Sequence, residues 1–232
     1  CLDLKIFEMG RTFIRRGDGK QPTEQNRLAC LIMGRPQEAG WHSDDRPADF
    51  YDLKGGVETV IERLRIPDVS FRSGIHEAIL HPGKSCGIFS SDEMIGFMGE
   101  IHPDILERLD LAAPVLVCEL DMDLLASRFA DKSPFHSIPR FPSSSRDVAF
   151  LVRRDLEAGE MVRLATDVPE VLVEKVQIFD VYEGKNLPPG MRSLGLRFSY
   201  RSADRTLTDD EVNEVHGRIV QRIVQITGAS IR

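Results

Sequence analysis

From Ser145 to Arg232 the hydrophobic pattern switches between a period of two and a period near 3.6, and the order of the switches leaves few folds open. Arg146–Val152 alternates as a strand. A helix follows, with Met161, Leu164, Ala165 and Val168 on one face. Glu174–Tyr182 is a second strand, the turn Gly184–Gly190 contains Pro188-Pro189, and Ser193–Ser202 is a third strand. The last helix is expected to start at Thr208, where Thr208 and Glu211 form a capping box that satisfies two otherwise orphaned backbone N–H groups. Val212, Val215, Ile219, Val220, Ile223 and Val224 line one side of it, and Ala229–Arg232 closes the chain as a short strand. The order is β-α-β-β-α-β, a ferredoxin-like arrangement. Its sheet carries helices on one face only and leaves the other free to meet a ligand.

Upstream, the stretch SPFHSIPRFPSSS (Ser133–Ser145) breaks the periodic pattern with three prolines and five serines, and predicts a boundary between a domain at 1–134 and one at 135–232. The first reads as an antiparallel sheet with a few helices, giving an α+β chain. Its strand candidates are Lys5–Ile14, Leu28–Gly34, Ser85–Phe89, Met94–Ile101 and Val115–Leu120. Val57, Val60, Ile61 and Leu64 predict a helix from Asp52, as N-cap, to about Arg65. Pro103 suits the first turn of a short helix through Leu109. Asp121 starts another, with Leu124, Leu125 and Phe129 as its apolar side. The chain opens on Cys1 rather than Met, with Leu2–Phe13 already strand-like, so a piece excised from a longer protein is expected.

Several chemistries find no support. Cys1, Cys30, Cys86 and Cys118 are scattered and form no C-x-x-C pair, the usage of buried or incidental thiols in a reducing cytosol. The six histidines make no H-E-x-x-H, so no metal site is expected. Gly17-Asp18-Gly19-Lys20 lacks the spacing and the Ser or Thr of a phosphate loop and reads as a hairpin turn. His81-Pro82-Gly83 and His102-Pro103 read as turns, and Lys54-Gly55-Gly56 as close packing of a helix start. Neither a signal peptide nor an apolar run of about 20 residues is present, so no membrane partner is expected. Residues 135–232 carry 14 Lys+Arg and 14 Asp+Glu, and the net charge of −7 lies wholly in residues 1–134. Binding driven by phosphate contacts needs a basic excess, which argues against DNA. An RNA ligand would have to be read through splayed bases.

The open face of the second domain supplies candidates for that. Asp180 and Tyr182 are two apart and share a strand face. On the next strand Leu194, Leu196, Phe198 and Tyr200 should pack on the helices, which turns Ser193, Gly195, Arg197, Ser199 and Arg201 outward beside Asp180 and Tyr182. A ring, a carboxylate, a hydroxyl and guanidinium groups are what base recognition requires. Pattern alone favours the plainer alternative, a solvated sheet face with a tyrosine near a strand end. Arg146-Asp147 is expected to be a local ion pair at the strand entry, and Arg205 a solvated loop residue.

FPSSSRDVAFLV (Phe141–Val152), FDVYEG (Phe179–Gly184), SLGLRFSYRSADRTLTDDEV (Ser193–Val212) and the closing GASIR resemble the ferredoxin-fold anticodon-binding domain that ends the β subunit of bacterial phenylalanyl-tRNA synthetases. IFEMGRTF (Ile6–Phe13), DFYDLKGGVE (Asp49–Glu58), LHPGKS (Leu80–Ser85) and GFMGEIHP (Gly96–Pro103) resemble the same subunit, in order along the chain. The resemblance implies that residues 1–134 are part of a class II synthetase-like module without catalysis. In agreement, Ile101–Phe129 has no G-x-G-x-x-R stretch, and Arg108 and Arg128 are isolated. It also implies that Asp180, Tyr182 and Ser193 read the first anticodon base. The implied partners are tRNA(Phe), the synthetase α subunit and a second β subunit in an α2β2 assembly in the cytoplasm. ATP and Mg²⁺ would serve the whole enzyme, with no cofactor in this piece.

Two rivals follow from other features. A synthetase-like half with an incomplete sheet suits a protein-interaction scaffold that never touches RNA, but such a scaffold has no need of the polar face at 180–201. An enzyme acting on a small amino acid or nucleotide would need a Gly-rich loop, metal cluster or nucleophile–base pair, which the sequence does not offer.

Overall fold

The computed structural model describes residues 3–17, 19–38, 40–41, 45–129, 137–167 and 172–232. The chain divides into two compact units, Cys1–Pro134 and Phe135–Arg232.

In the first unit the strands are β1 (Leu4–Ile14), β2 (Thr23–Met33), β3 (Val69–Arg72), β4 (Leu80–Ser90), β5 (Glu93–Ile101) and β6 (Val115–Asp121). The helices are α1 (Phe50–Leu64), α2 (Pro103–Arg108) and α3 (Met122–Arg128). The strands form one six-stranded antiparallel sheet in the order β1-β2-β6-β5-β4-β3. The core lies where Leu53, Val57 and Ile61 of α1 meet Ile88, Met98, Leu116, Cys118 and Leu120 of the sheet. Cys30, Cys86 and Cys118 are in no disulfide among the described residues, and burial pushes the Cys118 thiol well above its ordinary range. Cys1 lies outside the described residues, as do Asp18, part of Ser133–Ser145, and Val168.

Three expectations for this unit need correction. Asp49, not Asp52, is the N-cap of α1. Its side chain accepts from the Tyr51 and Asp52 backbones, while Asp52 at N3 accepts from Asp49 N–H and from Arg46 at 2.7 and 2.8 Å. β3 is too short to show an alternation, and it forms by pairing with β4. Phe129 is the C-cap of α3 and half-exposed, so Leu125 alone among the three expected apolar residues is fully buried.

The second unit follows the predicted order: β7 (Ser144–Arg153), α4 (Ala158–Thr166), β8 (Val173–Tyr182), β9 (Met191–Tyr200), α5 (Asp209–Thr227) and β10 (Ser230–Ile231). The sheet order is β10-β7-β9-β8, antiparallel throughout, which is the ferredoxin-like topology. Leu194, Leu196, Phe198 and Tyr200 point into a core shared with Phe150, Met161, Leu164 and the Val212–Ile223 face of α5. The Tyr200 hydroxyl lies 2.8 Å from His216 Nδ1, and the His216 ring meets Phe198 edge-on at 5.1 Å. This satisfies a hydroxyl that would otherwise be buried unpaired. Burial lowers the His216 pKa, so the imidazole is held neutral.

α5 starts as predicted. Thr208 Oγ1 accepts from Glu211 N–H, and a Glu211 oxygen accepts from Thr208 N–H at 2.9 Å. Arg205 is an exposed loop residue as expected, and its guanidinium also sits 2.6 Å from Glu211 and reinforces the box. Arg146 and Asp147 do not pair with each other, since neighbours on a strand point to opposite faces. Arg146 instead reaches Asp209 at 2.6 Å and Asn213 at 2.9 Å.

Two tests follow from this packing. The bonds from Arg205 and from the Thr208 backbone and hydroxyl hold Glu211 down from 4.5 to about 2. Its folded pKa is below its unfolded one, so the box contributes in full above about pH 4.5 and its contribution fades as pH falls toward 2. Denaturant melts between pH 7 and 2 should therefore show an acid loss of stability that shrinks in Glu211→Gln. Leu196 is 0% exposed, and Leu196→Ala should cost about 2–5 kcal/mol in the same melts as a buried truncation.

Candidate nucleic-acid interface

Strand register shows which side chains share the uncovered face of the second unit. Ser193, Gly195, Arg197 and Ser199 of β9 alternate with the core residues and therefore face away from the helices. Opposite them on β7 stand Leu151, Ala149, Asp147 and Ser145. On β8, Lys175 opposes Ser199 and Gln177 opposes Arg197. Ile178 still opposes Leu196, but Asp180 opposes Gly195. Phe179 is thus one residue extra, a β-bulge. Strict alternation from Lys175 and Gln177 would have sent Asp180 and Tyr182 toward the helices. The bulge turns both to the open side.

Gly195 makes the bulge possible. A β-carbon there would lie 2.9 Å from the Phe179 ring and 3.0 Å from Asp180 Cβ. The Phe179 ring therefore lies on the open face, across the glycine, and is 50% exposed. The Arg197 guanidinium carbon sits 5.1 Å from the centre of that ring, within cation–π range. Arg197 also donates twice to Asp147, at 2.8 and 2.6 Å. Those bonds hold the Asp147 carboxyl below its usual range.

The predicted residues take distinct positions. Asp180 is exposed, and its carboxylate makes no hydrogen bond or ion pair with another described residue. Tyr182 is half-buried: Arg232 stands 5.2 Å from its ring centre, and the ring closes over Gly184, where a β-carbon would fall 2.2 Å from the hydroxyl. Ser193 is only 1% exposed, because it stands in register between the larger Leu151 and Tyr182. Arg201 is half-buried and engaged by Glu174 at 2.8 Å and the Phe141 carbonyl at 2.7 Å. Asp180, Tyr182 and Arg197 thus gather around Gly195. Arg201 lies four strand residues beyond Arg197, about 13 Å along the strand, and is taken up in holding the strand end.

Sequence reasoning missed Phe179 and Arg232. The signal for Phe179 is Gly195, since a glycine inside a strand marks a bulge or a close approach. Arg232 is placed by its backbone, which continues the β10 pairing through an N–H bond to Ala149 at 2.9 Å.

The first unit holds a cavity of about 340 Å³ lined by Arg27, Glu77, Phe97, Glu119 and Asp121, among others. Arg27 is its one basic lining residue and is paired with Glu119 at 3.7 Å and Asp121 at 3.5 Å. Among the described residues no group of three or more side chains could hold a metal ion, and no helix is long and apolar enough to cross a membrane.

Comparison with known proteins places this geometry. Residues 139–232 match the family model of the ferredoxin-fold anticodon binding domain. A phenylalanine–tRNA ligase beta subunit of Syntrophus aciditrophicus is 48% identical over 99% of this chain and 29% of its own length. That of Syntrophotalea carbinolica is 38% identical over the same shares. The chain therefore spans less than a third of the length of these relatives. Among solved structures, a pyrrolysyl tRNA synthetase of Desulfitobacterium hafniense aligns with a TM-score of 0.40 and 17% identity over 54% of this chain and 41% of its own, too distant to bear on the fold. Residues 2–122 match the family model of the phenylalanyl tRNA synthetase beta chain CLM domain, and with that match over half its length the chain belongs to the phenylalanyl tRNA synthetase beta chain family.

Proposed function

We propose that residues 135–232 bind the anticodon region of tRNA(Phe) through the open sheet face, and that residues 1–134 are a non-catalytic synthetase-like module that scaffolds the synthetase α subunit. The observation that carries the reading is the free carboxylate of Asp180 beside the Tyr182 ring, on the uncovered face of a domain whose family binds anticodons. A carboxylate with no partner of its own can accept from the amino edge of a guanine, and a ring fixed by Gly184 and Arg232 can stack on a base. In this reading Asp180, Tyr182 and Arg197 meet the RNA. Ser193, between Tyr182 and Leu151, and Arg201, engaged by Glu174 and Phe141, support the platform from within.

Scaffolding by residues 1–134 is favoured by β1, an edge strand that exposes Phe7 at 75%, Met9 at 62% and Phe13 at 62%. Large apolar side chains gathered on an exposed sheet edge suit pairing with another chain. The assembled enzyme would be a cytoplasmic α2β2 ligase using ATP and Mg²⁺ at sites outside this chain.

Two outcomes are expected. Tyr182→Ala should weaken tRNA(Phe) binding by about 1–3 kcal/mol, and Asp180→Ala should chiefly lose discrimination between tRNA(Phe) and anticodon-mutant transcripts. Filter binding across a salt series should show a shallow slope, since the domain carries no basic excess. Unchanged affinity and anticodon preference in both variants would remove the reading. Separately, the chain free of α subunit should give no phenylalanine-dependent ATP–pyrophosphate exchange, and its appearance would sink the non-catalytic assignment.

A further inference from the structure

We infer that the open face carries a second base-stacking position, built on Phe179 beside the one at Tyr182, so that the site holds two consecutive unstacked bases of a single-stranded RNA. The inference rests on the RNA-binding reading and adds a residue and a stoichiometry to it.

The bulge sends Phe179 and Asp180 to the same side, both opposite Gly195. Phe179 therefore stands on a face whose other β8 members are Lys175, Gln177, Asp180 and Tyr182, with no helix over it and half its surface in solvent. A phenyl ring has no polar edge to satisfy in water, so this is the place on the sheet where an apolar partner would gain most. The ring is also held. Gly195 lets it lie across the strand, and Arg197 sits against it at 5.1 Å, itself fixed by two bonds to Asp147. A ring restrained in advance loses little freedom on stacking, which is the preorganisation that a binding platform requires.

Phe179 shares the position opposite Gly195 with Asp180, and Tyr182, opposite Ser193, lies two strand positions further on, about 7 Å along the backbone. A base stacked on Tyr182 and bonded to Asp180 leaves the Phe179 ring to the next base. Stacking on a phenyl ring is tolerant of base identity, because every base has a π-face. The Phe179 position should therefore add affinity, whereas Asp180 sets selectivity.

The test is binding of the 232-residue chain to the anticodon stem-loop of tRNA(Phe), intact or made abasic at each anticodon position in turn. Phe179→Leu should weaken the intact loop about 5- to 150-fold, while Phe179→Tyr should bind as the parent does. The Phe179→Leu penalty should vanish on the loop abasic at one position, and the Tyr182→Leu penalty on the loop abasic at an adjacent one. Parent-like binding by Phe179→Leu alongside a weakened Tyr182→Leu overturns the second position and leaves the RNA reading standing. Loss of both penalties at the same abasic position also overturns it. Failure of the parent chain to bind any loop removes the RNA reading itself. Should Phe179→Leu melt early, the abasic series on the parent decides: two adjacent positions of loss support the inference and a single one overturns it.

Discussion

The open face depends on one extra residue in one strand. β8 enters with Lys175 and Gln177 outward, and an unbroken alternation would have carried Phe179 and Val181 outward and Asp180 inward under the helices. Asp180 would then stand opposite Leu194 on the core side of the sheet, away from the polar face that carries Lys175, Gln177 and Arg197. The bulge between Ile178 and Asp180 avoids this by spending one residue without advancing the register. What it asks of the neighbouring strand is the absence of a side chain at Gly195, where any β-carbon would meet the Phe179 ring and Asp180 together. The carboxylate, the two aromatic rings and their orientation follow from that local geometry.

The opposite face makes the arrangement affordable in structural terms. Leu194, Leu196, Phe198 and Tyr200 are wholly buried against α4 and α5, so β9 is anchored from that side. The one polar atom among those four side chains, the Tyr200 hydroxyl, is matched by His216. Capping closes the remaining gap: Thr208, Glu211 and Arg205 fix where α5 begins, and Gly228, at φ 68°, fixes where it ends and lets β10 turn back onto β7. That last turn sets Arg232 against Tyr182, so a ring of the open face is positioned by a chain end that the core itself orients.

The order of elements in the second unit was legible because each long element carries a complete period, as in Leu194–Tyr200 and Val212–Ile223. The core residues of β9 and the capping box of α5 could be named from that pattern alone. The bulge could not, since residues 173–182 read equally well as one uninterrupted strand and only the pairing with β9 reveals the extra residue. Ion-pair partners were illegible for the same reason. Arg146 and Asp147 are neighbours in sequence, yet their partners are 63 and 50 residues away. Ser193 was placed on the correct face by alternation, but its burial depends on the size of its cross-strand neighbours Leu151 and Tyr182. In the first unit β3 escaped notice because four residues carry no period.

Charge on the open face is arranged for discrimination more than for attraction. Arg197 and Arg201 are each paired with a carboxylate, so neither offers phosphate an unopposed cation. The Asp180 carboxylate has no partner among the described residues and would repel a phosphate brought near it. In the proposed reading a base, rather than the backbone, meets the paired arginines and Asp180, and the carboxylate would then reward a donor edge and penalise an acceptor edge. The cost of a wrong base is largest when a buried polar group is left unpaired, and stacking on the adjacent rings is what would exclude water from that contact. In the proposed reading, aromatic platforms and a lone acid are parts of one device: the rings would supply the affinity that the paired arginines withhold, and by drying the contact they would give the acid its power to choose.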